Sequence, residues 1–195
     1  MALGNICIST CSGGTPNTSR QEYYNGTIPW LRTQEVDWCE IYDTSIKITE
    51  LGLKNSSAKM IPADCIIVAM YGATAAKVAI NKIPLCTNQA CFNMVIDESI
   101  ACKRYVYQWL CKNYEELKAK GEGAQHNINA KKIKEFQIIL PSIEQQRRIV
   151  SILDKFDTLT ASISDGLPKE IELRRKQYEY YRNELLSFPK KRITA

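Results

Sequence analysis

Residues 145–188 read QQRRIVSILDKFDTLTASISDGLPKEIELRRKQYEYYRNELLSF. Within them Ile149, Leu153, Phe156, Thr160, Ile163 and Leu167 follow at steps of four, three, four, three and four. Ile171, Arg174, Tyr178, Tyr181, Leu185 and Phe188 continue at alternating threes and fours. A stripe that recurs about every 3.5 residues lies on one helix face and presents a seam to a partner helix. A helix this long exceeds what one small domain needs to cover its core. The stretch therefore reads as a rod that bridges or measures a distance.

The rod carries start and break signals. Ser142 followed by Gln145 fits a capping box, in which hydroxyl and amide satisfy orphan backbone donors. Gly166-Leu167-Pro168 interrupts the middle: Pro168 lacks an amide proton and pushes Leu167 away from helical geometry. Either a kink or a fold-back is compatible with that. Leu167 to Ile171 is a step of four, so the seam crosses the break in phase. Preserved phase favours a kinked, nearly continuous helix. The organisation expected is a globular domain over 1–141, a helical region over 142–188 and a frayed tail over 189–195.

Composition bounds the globular part. A chain of 195 residues with 45% hydrophobic content suits one domain with a real core plus an appendage. No apolar run approaches the length of a membrane span. The start, MALGNICISTCSGG, lacks the basic-then-apolar layout of a secretory signal, and a cytoplasmic protein is expected. The net charge of +5 permits nucleic-acid binding without arguing for it. The eight cysteines form no C-x-x-C pair and read as reduced, small, buried hydrophobes. A zinc site lacks its ligand spacing.

Residues 1–141 show mixed patterns. Ile28–Leu31, Asp64–Met70, Val78–Ile80, Phe92–Ile96 and Phe136–Leu140 read as strands, and Arg104 to Lys120 as a helix closed by Gly121. There is no strict β-α-β alternation. The fold class expected is α+β, an irregular globular domain with a curved sheet, followed by the coiled-coil-forming helix.

Catalytic constellations are missing. His126 is the lone histidine, which removes most triads and metal sites. There is no Pro-Pro of the kind a base-methylating motif needs, and no G-x-x-x-x-G-K phosphate loop. Gly121-Glu122-Gly123 follows a helix and so lacks the dinucleotide context. No catalytic residue and no metal ligand is assigned. What remains is a set of polar loops at 12–20, 70–77, 86–90 and 121–129. Asn and Gln bond adenine edges, Arg and Lys take guanine or phosphate, and glycine lets a backbone approach a duplex closely. The same residues are also ordinary turn formers.

One resemblance gathers these features. It is carried by GGTPNTSRQEYYNGTIPWLRTQEVD at 13–37, ITELGLKNSSAKMIPADCIIVAMYGATAAKVAI at 48–80 and TNQACFNMVI at 87–96. GEGAQHNINAKKIKEFQIILPSIEQQRRIVSILDKFD at 121–157 and GLPKEIELRRKQYEYYRNELLSF at 166–188 complete it. The chain resembles the specificity subunit of type I restriction–modification systems. That family's usual subunit holds two target-recognition domains and two helical regions; here there is one of each, a half-length form.

The resemblance implies a DNA-binding domain that reads half of a split double-stranded site. It implies a helix that sets spacing and docks methyltransferase subunits, and a separate restriction/translocase subunit. S-adenosylmethionine and ATP would sit on those partner subunits, with no cofactor in this chain. Loop chemistry nominates Thr15, Asn17, Arg20, Arg32, Tyr71, Thr74, Lys77, Asn88, Gln89, Gln125 and Asn127 as DNA contacts. A homodimer is expected through antiparallel helices, with Ile149, Leu153, Phe156 and Ile163 facing Ile171, Tyr178, Tyr181 and Leu185 of a second copy. A stand-alone methyltransferase and a coiled-coil adaptor without a nucleic-acid role are the alternatives.

Overall fold

The computed structural model describes the backbone of residues 1–123 and 127–186, and their side chains outside 158–170, 178 and 182–186. The chain divides into two units, Met1–Val150 and Ser151–Ala195. In order, its elements begin with β1 (Cys7–Ser12), β2 (Tyr24–Leu31), β3 (Cys39–Ile41), β4 (Ile46–Ile48), α1 (Glu50–Lys54) and β5 (Met60–Ile61). Then follow β6 (Ile66–Ala69), β7 (Val78–Asn81), β8 (Leu85–Thr87), β9 (Cys91–Ile96), α2 (Lys103–Lys112), α3 (Tyr114–Ala119), α4 (Ala130–Glu135) and α5 (Ile143–Leu186).

The strands make two sheets where a single curved sheet was expected, ordered β1-β9-β6-β7-β3 and β4-β2-β8-β5. Both are mixed. β3 and β7 run parallel in the first, β2 and β8 in the second, and the remaining neighbours are antiparallel. The fold class is α+β.

β6 shows why the apolar run at 66–69 is continuous. Alternate strand residues point to opposite faces, and a strand covered on both faces needs apolar residues throughout. Ile66 and Val68 pack with Phe92, Met94, Val106, Leu110, Leu117, Ile133 and Phe136 in the cluster that includes residues of α2, α3 and α4. Ile67 and Ala69 face the other way, into a second cluster with Leu31, Ile61, Leu85 and Cys91, four residues of, or flanking, the two sheets. A smaller third cluster holds Trp30, Ile48, Ala58 and Cys86.

Two expected elements differ. Arg104–Lys120 is not one helix: α2 and α3 are divided at Asn113, which sits at φ −99°, ψ 24°. Its side-chain amide donates to the Trp109 carbonyl at 2.8 Å, the local competition with the helix ladder that asparagine offers. Phe136–Leu140 is not a strand. Gln137 makes an isolated bridge to Ala2, flanked by Leu3 N to Phe136 O at 2.9 Å and Ile138 N to Met1 O at 2.8 Å. The partner segment coils into a 3₁₀ turn at Leu3–Ile6, so no ladder can extend.

At the start of α5 the Gln145 amide donates to the Ser142 hydroxyl at 3.3 Å, as the capping pattern implied. The helical span includes Gly166–Pro168, with no fold-back. The expected frayed tail at 189–195 lies outside the described residues. Of the eight cysteines, Cys65, Cys86 and Cys91 are buried and the other five half-buried.

Candidate nucleic-acid interface

The loop after β1 can pass where it does because it begins with two glycines. A Cβ on Gly13 would lie 2.0 Å from the Thr87 carbonyl oxygen, and one on Gly14 2.3 Å from the Ser57 carbonyl carbon. Contact that close leaves no room for a side chain. The Gly14 amide donates to the Thr87 carbonyl at 2.9 Å. Two aromatic side chains then hold the loop from below: Trp30 Nε1 donates to the Gly14 carbonyl at 2.9 Å and the Tyr24 hydroxyl to the Pro16 carbonyl at 2.7 Å. Burial raises the Tyr24 hydroxyl's pKa, which keeps it a donor. Asn17 closes an Asx turn, its Oδ1 accepting from the Ser19 amide at 3.0 Å and the Ser19 hydroxyl at 2.8 Å.

Hydrogen bonds link this loop to the other polar segments in series. Thr15 donates its hydroxyl proton to the Gln89 side chain. Next to Gln89, the Asn88 amide donates to the Leu31 carbonyl at 2.9 Å, which sets Asn88 beside Arg32. Next to Arg32, the Thr33 carbonyl accepts from the Thr74 hydroxyl at 2.9 Å. Two residues back from Thr74, the Gly72 amide donates to Asn127 Oδ1 at 3.3 Å. Ile128 N to Met70 O at 2.8 Å and the paired amides of Glu122 and Asn127 at 3.0 Å fix the last segment. Ten of the eleven nominated contact residues therefore lie on segments of one contiguous rim. The eleventh, Gln125, lies outside the described residues, as does His126.

Within the rim the nominated side chains are not equally free. Lys77 Nζ is 2.6 Å from Asp37 Oδ1 and 4.3 Å from the centre of the Trp38 ring, so its charge is already partnered. Arg20 pairs with Glu22 at 3.2 Å. A backbone hydrogen bond and the Arg20 guanidinium hold the Glu22 carboxyl below its usual range. The Thr15 and Thr74 hydroxyls and the Asn127 carbonyl oxygen serve the rim's own bonds. Tyr71 is 41% exposed and Gln89 is exposed. Arg32 lies with its Nε 4.0 Å from Glu35, yet that Nε and the Oδ1 of Asn88 are buried without a hydrogen-bond partner.

One segment was missed. Gly14 packs on Ser57, which brings Lys54-Asn55-Ser56-Ser57-Ala58-Lys59 to the same rim. Lys54 and Lys59 are exposed and have no ion pair among the described residues. The signal was present in sequence, an Asn-Ser-Ser turn between two lysines, the same chemistry that nominated the other loops.

Along α5, Ile149, Phe156, Ile171 and Tyr181 are exposed, at 39%, 60%, 61% and 54%, and Leu153 is half-buried. The side chains of Ile163, Tyr178 and Leu185 lie outside the described ones. Among the described residues no three His, Cys, Asp or Glu side chains group as a metal site. No helix in them is long and apolar enough to cross a membrane.

Polar loops are thus strung into one rim on a scaffold of two mixed sheets. The family model for the type I restriction modification DNA specificity domain matches residues 1–173, and the chain belongs to that family, the non-catalytic specificity part of such systems.

The specificity subunit of the EcoR124I/EcoR124II type I restriction enzyme of Escherichia coli is 42% identical over 185 residues, covering 91% of this chain and 46% of that protein. The MjaIX specificity subunit of Methanocaldococcus jannaschii is 29% identical over 182 residues, covering 90% and 41%. A solved chain from work on complex assembly and conformational transition of the type I R-M system superposes with a TM-score of 0.69 at 20% identity, over 90% of this chain and 42% of that one. The HsdS subunit of Thermoanaerobacter tengcongensis gives 0.63 at 20% identity, over 84% and 38%. This chain thus spans less than half the length of these relatives.

Proposed function

We propose that residues 1–141 read one half of a split double-stranded DNA site through the rim, and that residues 142–188 space and pair two such readers. The observation that carries this is the rim itself: six separate polar segments tied edge to edge, with amides, hydroxyls and basic groups of the kind that contact bases and phosphates. In this reading Arg32, Tyr71, Asn88 and the exposed lysines at 54 and 59 turn toward DNA, and Arg20 and Gln89 join them by giving up Glu22 and Thr15. Two copies pair through antiparallel α5 helices, kinked near Gly166–Pro168, with the exposed Ile149 and Phe156 set against Ile171 and Tyr181 of the second copy. A seam of alternating threes and fours is what such pairing needs.

The assembly works in the cytoplasm with methyltransferase subunits that hold S-adenosylmethionine. A restriction/translocase subunit supplies ATP-driven cleavage. Each copy holds one reader, so a two-fold pair reads the same half-site once on each strand. The test is genomic methylation mapping in cells that carry the methyltransferase subunits with or without this chain as the specificity polypeptide. The expected result is a split inverted repeat that appears with the chain. An asymmetric site overturns the pairing, and a methylation pattern indifferent to the chain overturns DNA reading.

A further inference from the structure

Two atoms in the rim are left unmet. Arg32 Nε, a donor, and Asn88 Oδ1, an acceptor, are both buried and have no hydrogen-bond partner. Buried polar groups are nearly always satisfied, so such exceptions call for an account. Their positions supply one. β2 and β8 form the parallel pair of the smaller sheet, with Trp30 opposite Cys86 and Leu31 opposite Thr87. Arg32 and Asn88 are the next register, joined by the Asn88 amide to the Leu31 carbonyl. Neighbouring strands lie about 4.8 Å apart. The two side chains thus leave the ends of adjacent strands together, while their sequence neighbours, Gln89 and Thr33, are bonded to Thr15 and Thr74 on either side. The unmet pair occupies the middle of the rim.

We infer that Arg32 and Asn88 form one composite reader for the major-groove edge of a single adenine, Arg32 donating to N7 and Asn88 accepting from the 6-amino group. The inference rests on the DNA-reading function proposed above. A donor beside an acceptor is what selects this base. Adenine offers one acceptor and one donor on that edge, whereas guanine offers two acceptors and would set O6 against the Asn88 oxygen. Cytosine offers a donor without an acceptor beside it, and thymine an acceptor beside a methyl group. Glu35 keeps Arg32 parked: its carboxylate accepts from the Arg32 and Ser45 amides at 3.4 and 2.9 Å, which holds it near the guanidinium without bonding Nε.

The experiment uses the full chain assembled with its methyltransferase subunits, and duplexes carrying the mapped site. Each adenine of the half-site is replaced in turn by 7-deazaadenine, which lacks the N7 acceptor, or by purine, which lacks the amino group. At one adenine, replacement by another base should weaken binding about 5- to 150-fold, and each analogue should cost part of that. Arg32→Ala should abolish the penalty for 7-deazaadenine at that position, and Asn88→Ala the penalty for purine at the same position. Variants that keep both penalties everywhere, or lose them at two different positions, overturn the pair while leaving DNA reading intact. So does a half-site without adenine. A wild-type complex with no sequence preference overturns DNA reading and the pair together. Because Asn88 Oδ1 is unbonded in the free protein, Asn88→Ala should melt no lower than wild type. A fall of more than about 4 °C for Asn88→Ala would make it a structural amide and sink the inference.

Discussion

Replacing Gln146 with methionine should loosen the joint between α2 and α5 at little cost in shape. Gln146 is 1% exposed. Its Oε1 accepts from the Cys102 amide at 2.8 Å, and its Nε2 donates to the Pro141 carbonyl at 2.9 Å. One side chain thus satisfies the N-cap residue of α2 and the residue leading into α5. Methionine keeps the length and volume but bonds neither group. An orphaned buried polar group costs about 1–3 kcal/mol. Both bonds here are part-buried, so the low end applies, and the pair should cost about 2 kcal/mol. For a chain of this size that lowers the melting temperature by about 4–8 °C.

Urea denaturation followed by circular dichroism reads the loss directly, and a midpoint unchanged at constant slope would refute it. Gln146→Glu separates bonding from volume. Its protonated carboxyl presents the same acceptor and donor as the amide. Burial disfavours the carboxylate, so the folded-state pKa rises above the unfolded value of about 4.3. The deficit against wild type should be full at pH 7, shrink as pH falls through the raised folded pKa, and level off below the unfolded one. A deficit that does not change with pH would refute the hydrogen-bond account.

Three further outcomes are expected. Gly14→Ala places a Cβ 2.3 Å from the Ser57 carbonyl carbon and should cost about 1–3 kcal/mol in denaturant while weakening DNA binding, because the loop must lift off Thr87 and Trp30; unchanged stability would show that the loop is free to move. Asp37→Asn removes the carboxylate that holds Lys77 at 2.6 Å, so the released lysine should steepen the dependence of log K on log salt by about one phosphate contact; an unchanged slope would place Lys77 away from the backbone. Burial pushes the thiols of Cys65 and Cys91 up to about 12 and that of Cys86 to about 11, so at pH 8 all three should resist alkylation in the native protein and react in urea. Mass spectrometry of iodoacetamide-treated protein checks this, and native labelling of Cys91 at the unfolded rate would contradict it.

The strands legible in the sequence were the buried apolar runs; β2 was legible only over its last four residues, and β1, whose six residues are exposed or half-buried, was not legible at all. β6, β7 and β9 are apolar runs covered on both faces, and each was located within two residues. β3, β4, β5 and β8 span two or three residues each, too short for a period of two to register. Their pairing is also non-local: β8 lies parallel to β2 across more than fifty intervening residues. That is why two sheets were read as one. The site shows the same limit. Turn chemistry marked loops that the fold joins to one another, because loop residues announce themselves locally. It could not show that Asp37 holds Lys77, 40 residues away, or that Gln89 takes the Thr15 hydroxyl from 74 residues away. Those contacts decide which side chains are free, and they arise only when the chain is folded.

The rim is fastened mainly through the main chain. The carbonyls of Gly14, Pro16, Leu31, Thr33, Met70 and Thr87 take most of the bonds that join its segments. Every residue supplies a carbonyl, whatever its side chain. Outward-facing positions such as Tyr71 and Lys59 can therefore change identity without dissolving the frame that presents them. Mutation can explore new lettering at those positions one residue at a time, each variant folded and testable by selection. A reader built this way is evolvable: the grammar of its loops is held in the backbone, and its vocabulary is left to the side chains.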